Sequence, residues 1–196
     1  MRFVTAMHRG ARLAAAAAIV VGGLVATTST ADAAPVYKGK VTANGGLTVR
    51  SAPSTHAGVK STVAKGQKIK IDCKVPGTTV SGNKLWYALT GKRGWVTARY
   101  VDNIGAAPKY CPAEDTEYGN GRTTAKVNLR SGPHFNDAKA GSLKKGKKVS
   151  AVCYVKSTAG VDGNFRWYLL KNDSWVSAEY VKRLSTPGTN WVPCAR

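Results

Sequence analysis

Hydrophobic and polar positions over residues 34–196 alternate in short runs, broken by Gly, Pro, Asn and Ser. The clearest run is Lys68-Ile69-Lys70-Ile71-Asp72-Cys73-Lys74-Val75. Ile69, Ile71, Cys73 and Val75 share one face and the charged residues share the other. A period of two with one apolar face is a half-buried strand. Further strands are predicted at residues 41–43, 47–50, 59–63, 84–89 and 95–97, with Val149, Ala151 and Cys153 lining the face of a later one. None of these residues carries a long helical period. Short strands at turn-punctuated spacing predict a small all-β barrel or sandwich.

The pattern then repeats. Leu47-Thr48-Val49-Arg50-Ser51-Ala52-Pro53 returns as Val127-Asn128-Leu129-Arg130-Ser131-Gly132-Pro133. Trp86-Tyr87-Ala88-Leu89 returns as Trp167-Tyr168-Leu169-Leu170, and Gly94-Trp95-Val96-Thr97-Ala98-Arg99-Tyr100-Val101 returns as Ser174-Trp175-Val176-Ser177-Ala178-Glu179-Tyr180-Val181. Aromatic runs joined by a polar turn predict a β-hairpin in each copy. The displacement of about 80 residues is longer than solenoid periods of about 20–50, so tandem domains fit better. The expected division is 34–104, with a tail to Cys111, a linker at 105–122, and 123–196. Ser174 in place of Gly94 requires a differently built turn. Gly66 and its copy Gly146 are expected in turns that need positive φ.

The start of the chain changes the picture. Arg2, Arg9 and Arg12 make a positive start, residues 13–25 are apolar, and Ala31-Asp32-Ala33 offers a small-residue cleavage site. This predicts a secretory signal peptide over 1–33, the other reading being an uncleaved anchor. No later stretch is suited to span a membrane. Export places the four cysteines where disulfides persist. Cys73 and Cys153 occupy matching repeat positions, and Cys111 and Cys194 each follow a last strand. The simplest of the three connectivities is Cys73–Cys111 and Cys153–Cys194. Loops of this length contribute about 4 kcal/mol in the chain-entropy model. A metal site is not expected: there is no C-x-x-C, and His56 and His134 are not at ligand spacing.

Leu-x-Val-Arg-Ser-x-Pro, then Lys-Gly, Trp-Tyr and Gly-Trp-Val-x-x-x-Tyr-Val resemble the bacterial SH3 (SH3b) family, in the exported variety of high-GC Gram-positive bacteria. The resemblance covers roughly 38–104 and 123–184. It implies two tandem SH3-like β-barrels of five to seven strands, each here with one disulfide. It also implies a targeting role on peptidoglycan for some members and no assigned ligand for many. Strand alternation alone puts Leu85, Tyr87, Leu89 and Val96 toward the core and Trp86, Ala88, Trp95 and Thr97 outward. The last segment also resembles the end of eukaryotic SH3 domains. That resemblance implies a ligand groove of Trp86, Thr97 and Tyr100, with Trp167, Ser177 and Tyr180 in the second copy. The competing reading is that these aromatics fill space. Arg50 and Arg130 either bind a ligand or hold a loop carbonyl. The tails after the last strands are expected to fold back over the barrels.

Charge bears on the partner. The chain carries a formal +20, and +18 remains over residues 34–196. The excess lies in both repeats, with the densest run at Lys144, Lys145, Lys147 and Lys148. This exceeds the magnitude of about 2–8 that solubility asks of a small domain, and predicts attraction to a polyanion. Outside the cell membrane the available polyanions are wall phosphopolymers and acidic polysaccharide, so the expected partner is cell-wall peptidoglycan or an anionic wall polymer. Export argues against nucleic acid as the physiological partner. No cofactor is implied. An enzyme is not expected, since the repeats fill the chain after residue 33, the cysteines are taken as bridges, and Glu114, Asp115 and Glu117 sit in the linker. The expectation is a secreted, non-catalytic wall-binding protein. The alternative is an extracellular protein–protein interaction module or inhibitor built on the same barrels.

Overall fold

A computed structural model describes residues 36–112, 118–184 and 191–195. The expected signal peptide at 1–33 and the acidic residues Glu114, Asp115 and Glu117 lie outside the described residues. The first repeat forms β1 (Tyr37–Val41), β2 (Leu47–Arg50), β3 (Val59–Val63), β4 (Lys68–Val80), β5 (Asn83–Leu89), β6 (Gly94–Thr97) and β7 (Val101–Ile104). The second forms β8 (Gly119–Thr123), β9 (Val127–Arg130), β10 (Lys139–Leu143), β11 (Lys148–Val161), β12 (Asn164–Leu170), β13 (Trp175–Ser177) and β14 (Val181–Arg183). Each set is one antiparallel seven-stranded sheet, ordered β3-β2-β6-β5-β4-β1-β7 and β10-β9-β13-β12-β11-β8-β14. Both sheets curl into barrel-like halves of the same topology. Among the described residues there is no α-helix.

The second sheet starts earlier than expected, because β8 begins at Gly119, inside the stretch 105–122 read as a linker, and pairs with β11 and β14. The predicted strands are present, with two further differences. The first strand begins at Tyr37 and ends at Val41, before the expected end at residue 43. The strand expected at 68–75 runs on to Val80. Its alternating face is also divided. Ile69 and Ile71 enter the first barrel core with Val41, Leu47, Val49, Tyr87, Leu89 and Val96. Between Ile71 and Cys73 the pairing with β5 slips by one residue. Such a bulge bends the strand and re-aims the side chains beyond it. Cys73 and Val75 therefore pack elsewhere, against a second cluster.

That second cluster joins the halves. From the first repeat it takes Ala52, Ala57, Val75, Trp86, Ala88, Trp95 and Cys111, and from the second Cys153, Val155, Trp167, Leu169, Trp175 and Cys194. Trp86 and Trp167 are each 2% exposed and Trp175 is 0% exposed. The alternation of β5 and β6 is as expected, with Tyr87, Leu89 and Val96 in the barrel core and Trp86, Ala88 and Trp95 on the outer face. The outer face is covered by the other half. Hydrogen bonds cross the same boundary, from Trp175 Nε1 to the Pro76 carbonyl at 3.1 Å and from Gly58 N–H to Thr158 Oγ1 at 2.9 Å. Lys84 Nζ also reaches Asp173 Oδ2 at 2.8 Å. Burying a Trp removes about 200 Å² from water, at most roughly 5 kcal/mol at 25 cal/mol per Å². An exposed ion pair contributes about 0–1 kcal/mol. The apolar cluster, not the ion pair, therefore holds the halves together. Residues 34–196 form one compact unit.

The disulfides are Cys73–Cys111 and Cys153–Cys194, and no described cysteine is free. They fasten the tails back as expected. Tyr110 bridges to Lys74 on β4, and Pro193 bridges to Tyr154 on β11.

Candidate functional site

The residues implied as a groove converge in the first half. Trp86, Thr97 and Tyr100 line a cavity of about 450 Å³ together with Asn44, Gly46, Thr48, Arg50, Thr55 and Val80. That volume lies in the range of small-molecule sites, about 300–1,000 Å³. Each wall has a local cause. β5 and β6 pair with Trp86 opposite Thr97. Thr97 Oγ1 accepts from Arg99 N–H at 3.2 Å, which starts a single 3₁₀ turn and places Tyr100 at the rim. Tyr100 is half-buried, and its hydroxyl lies 3.2 Å from Ser81 Oγ. The facing wall is the loop 43–46, closed by Gly46 N–H on the Ala43 carbonyl at 3.2 Å. Gly45 and Gly46 have φ of 79° and 95°, conformations that side chains rarely adopt. Asn44 is exposed on this loop, and its Oδ1 accepts from Lys65 Nζ at 2.7 Å.

Trp86 has a different place from the one expected. It is not an outward contact ring but the buried floor of the cavity, and its indole N–H donates to the Thr78 carbonyl at 2.8 Å. Trp167 matches it, donating to the Ala159 carbonyl at 2.9 Å. Both indole donors are therefore already engaged within their own halves. Ser177 caps the second 3₁₀ turn through Glu179 N–H at 3.3 Å, with Tyr180 closing that turn. The facing wall differs. Thr42 N–H binds the Tyr100 carbonyl and Thr124 N–H binds the Tyr180 carbonyl, both at 3.0 Å, so these threonines correspond. Between each threonine and the next strand the first half has Ala43-Asn44-Gly45-Gly46, and the second has only Ala125-Lys126. Asn44 and Gly46 thus have no counterpart, and Thr55 is replaced by Phe135.

The other candidate residues are also placed. Lys144, Lys145, Lys147 and Lys148 are exposed where β10 turns into β11. Thr123 Oγ1 donates to the Lys144 carbonyl at 2.6 Å and fastens the turn. Gly66 and Gly146 sit in the equivalent turns with φ of 83° and 79°. Arg50 and Arg130 hold loop carbonyls, donating to Ala57 O at 2.8 Å and Asp137 O at 3.0 Å. Gly94 has φ of 130°, whereas Ser174 comes after Asp173 at φ 63° and donates from Oγ to Asn172 Oδ1 at 2.6 Å.

One constellation was not visible in the sequence. His56, from the first half, meets His134 and Asp137, from the second. Asp137 is 1% exposed, and its Oδ1 accepts from Ser54 Oγ at 2.7 Å and faces His56 Nδ1 at 2.8 Å. His134 is buried beside the half-exposed ring of His56, with centroids 5.5 Å apart. Burial lowers the His134 pKa, against an opposing pull from the Asp137 charge. The two histidines are far apart in sequence, so no spacing rule brings them together. The available signal was departure from the repeat: Ala52, Ser54, His56 and Ala57 correspond to Gly132, His134, Asn136 and Asp137.

Residues 45–102 match the family model described as the bacterial SH3 domain. The match takes in the cavity residues from Gly46 to Tyr100, and Ala43 and Asn44 of the facing loop precede it. No curated protein matches the chain. Among solved structures, "Endolysin LysPBC5 CBD" is similar, with a TM-score of 0.28 and 15% identity, covering 77% of this chain and 95% of that one.

Proposed function

We propose that this is an exported, non-catalytic binding protein of the bacterial cell wall, and that its specific site is the first-half groove. Export rests on the signal-like residues 1–33, ahead of two repeats that pack into one compact unit. The observation that carries the reading is the convergence of Thr48, Thr97 and Tyr100 around the Trp86 floor, inside the stretch similar to bacterial SH3 domains, with Asn44 just ahead of that stretch. The occupant is a peptide of peptidoglycan. Its polar backbone fits a groove of hydroxyls and an exposed amide with an aromatic floor. The lysine turn and the +18 formal charge of residues 34–196 supply a second, less specific attraction to anionic wall polymers. Two weak attractions on one body raise the overall affinity when both can engage at once.

The test is co-sedimentation of the protein with purified sacculi, with and without their anionic polymers, at low and high salt. Binding that persists without polymers and at high salt, and falls with Tyr100→Ala, is the expected result. Binding that disappears with the polymers or with salt would leave charge as the whole explanation. No binding at all would reject the wall reading in favour of a protein partner.

A further inference from the structure

We propose that His56, His134 and Asp137 form a binding site for a divalent cation of the zinc class, placed where the two halves meet. One donor atom from each of the three lies within 4.8 Å of the others. Imidazole nitrogens with a carboxylate oxygen are the donor set that zinc accepts, three protein ligands leaving a fourth position for water. A second observation points the same way. Asp137 is 1% exposed, yet only Oδ1 has partners, and Oδ2 is buried with none. A buried carboxylate with one oxygen left without a donor is costly, and a cation on the other oxygen offsets its uncompensated charge. The surroundings are cut to hold it. A Cβ at Gly132 would collide with Asp137 Oδ2 and lie 2.9 Å from Thr78 Cγ2. The first repeat has Ala52 and Ala57 at these positions. Ser54 Oγ donates to Oδ1 at 2.7 Å and orients the carboxylate from the other half.

The adjustment needed is small and balanced in protons. Zinc–nitrogen bonds of about 2.0–2.1 Å put tetrahedral ligands about 3.4 Å apart. His56 Nδ1 and Asp137 Oδ1 are already 2.8 Å apart, so the cation takes the place of the proton they share. That proton moves to Nε2 of the same ring, which is half in solvent, its side chain being 47% exposed. His134 Nδ1 accepts from Asn136 N–H at 3.0 Å, which puts its own proton on Nε2. Ligation through Nε2 moves that proton to Nδ1, and the bond from Asn136 N–H is given up. Each ring keeps one proton. The site draws on both halves, so a bound cation also ties them together.

The test uses the intact chain without a purification tag, zinc chloride as titrant, and calorimetry with ring-nitrogen NMR as readouts. The expected result is saturable uptake of one zinc per chain, with changes at His56 Nδ1 and His134 Nε2. Loss of about tenfold or more in affinity is expected in His56→Gln. Its ring is half-exposed, so this variant should keep the native near-ultraviolet circular dichroism, and His134→Gln serves as the second variant. No saturable uptake overturns the proposal. So does uptake that is unchanged in both variants, or ring-nitrogen changes confined to other residues. None of these outcomes bears on wall binding.

Discussion

At the scale of single residues, what was legible depended on whether a residue's partner lay nearby in sequence. Arg50 and Arg130 each hold a carbonyl seven residues on, in the same loop. The repetition of Arg-Ser-x-Pro with its loop was enough to offer that role. Asp137 is the opposite case, since its partners Ser54 and His56 lie 83 and 81 residues away. Only the paired departure of the copies, Ala52 with Ala57 against Gly132 with Asp137, marked it. That pairing makes a prediction. Gly132→Ala alone should destabilise the protein by about 1–3 kcal/mol, because the new methyl drives into the Asp137 carboxylate. In an Asp137→Ala background, which recreates the first repeat's pair, most of that cost should vanish. Urea denaturation of the four proteins of this cycle measures the coupling. Additive costs would show that Gly132 and Asp137 are not matched.

At the scale of elements, alternation and turn punctuation located the strands because each half-buried strand carries its own period-two pattern. Strand ends were less legible. The bulge after Ile71 sends one unbroken alternating face into two different clusters, and the letters are the same on either side of it. The turn before the final hairpin strand was readable as a difference. Gly94 sits at φ 130°, and a Cβ there would meet the Arg50 carbonyl at 2.6 Å. Ser174 sits in a turn whose positive φ is taken by Asp173 instead. Gly94→Ser should therefore cost about 1–3 kcal/mol, as an overpacked, strained position. The reverse change, Ser174→Gly, should cost about 1 kcal/mol, the worth of its hydrogen bond to Asn172. Thermal or urea unfolding of the two variants compares them, and equal costs would contradict the two turn geometries.

At the scale of the whole molecule, the repeat was legible and the closure of its two copies on one another was not. Trp86 and Trp95 read as outward aromatics when the first copy is taken alone, and the SH3 resemblance made Trp86 and Trp167 part of a ligand groove. Only the assembled chain shows that this face joins the halves. The binding reading therefore moves from the ring of Trp86 to the groove above it, with Tyr100 and the loop 43–46 as its walls. It also becomes unequal between the halves, because the two residues missing before Val127 remove one wall. The most direct measurement is a titration of the isotope-labelled intact chain with soluble peptidoglycan fragments, monitored by amide NMR. The account predicts shifts concentrated at Asn44, Thr48, Thr55, Thr97 and Tyr100, with the matching residues Asn128, Phe135, Ser177 and Tyr180 unmoved. Equal shifts at Tyr180 and Ser177, or shifts confined to the lysine turn at 144–148, would contradict it.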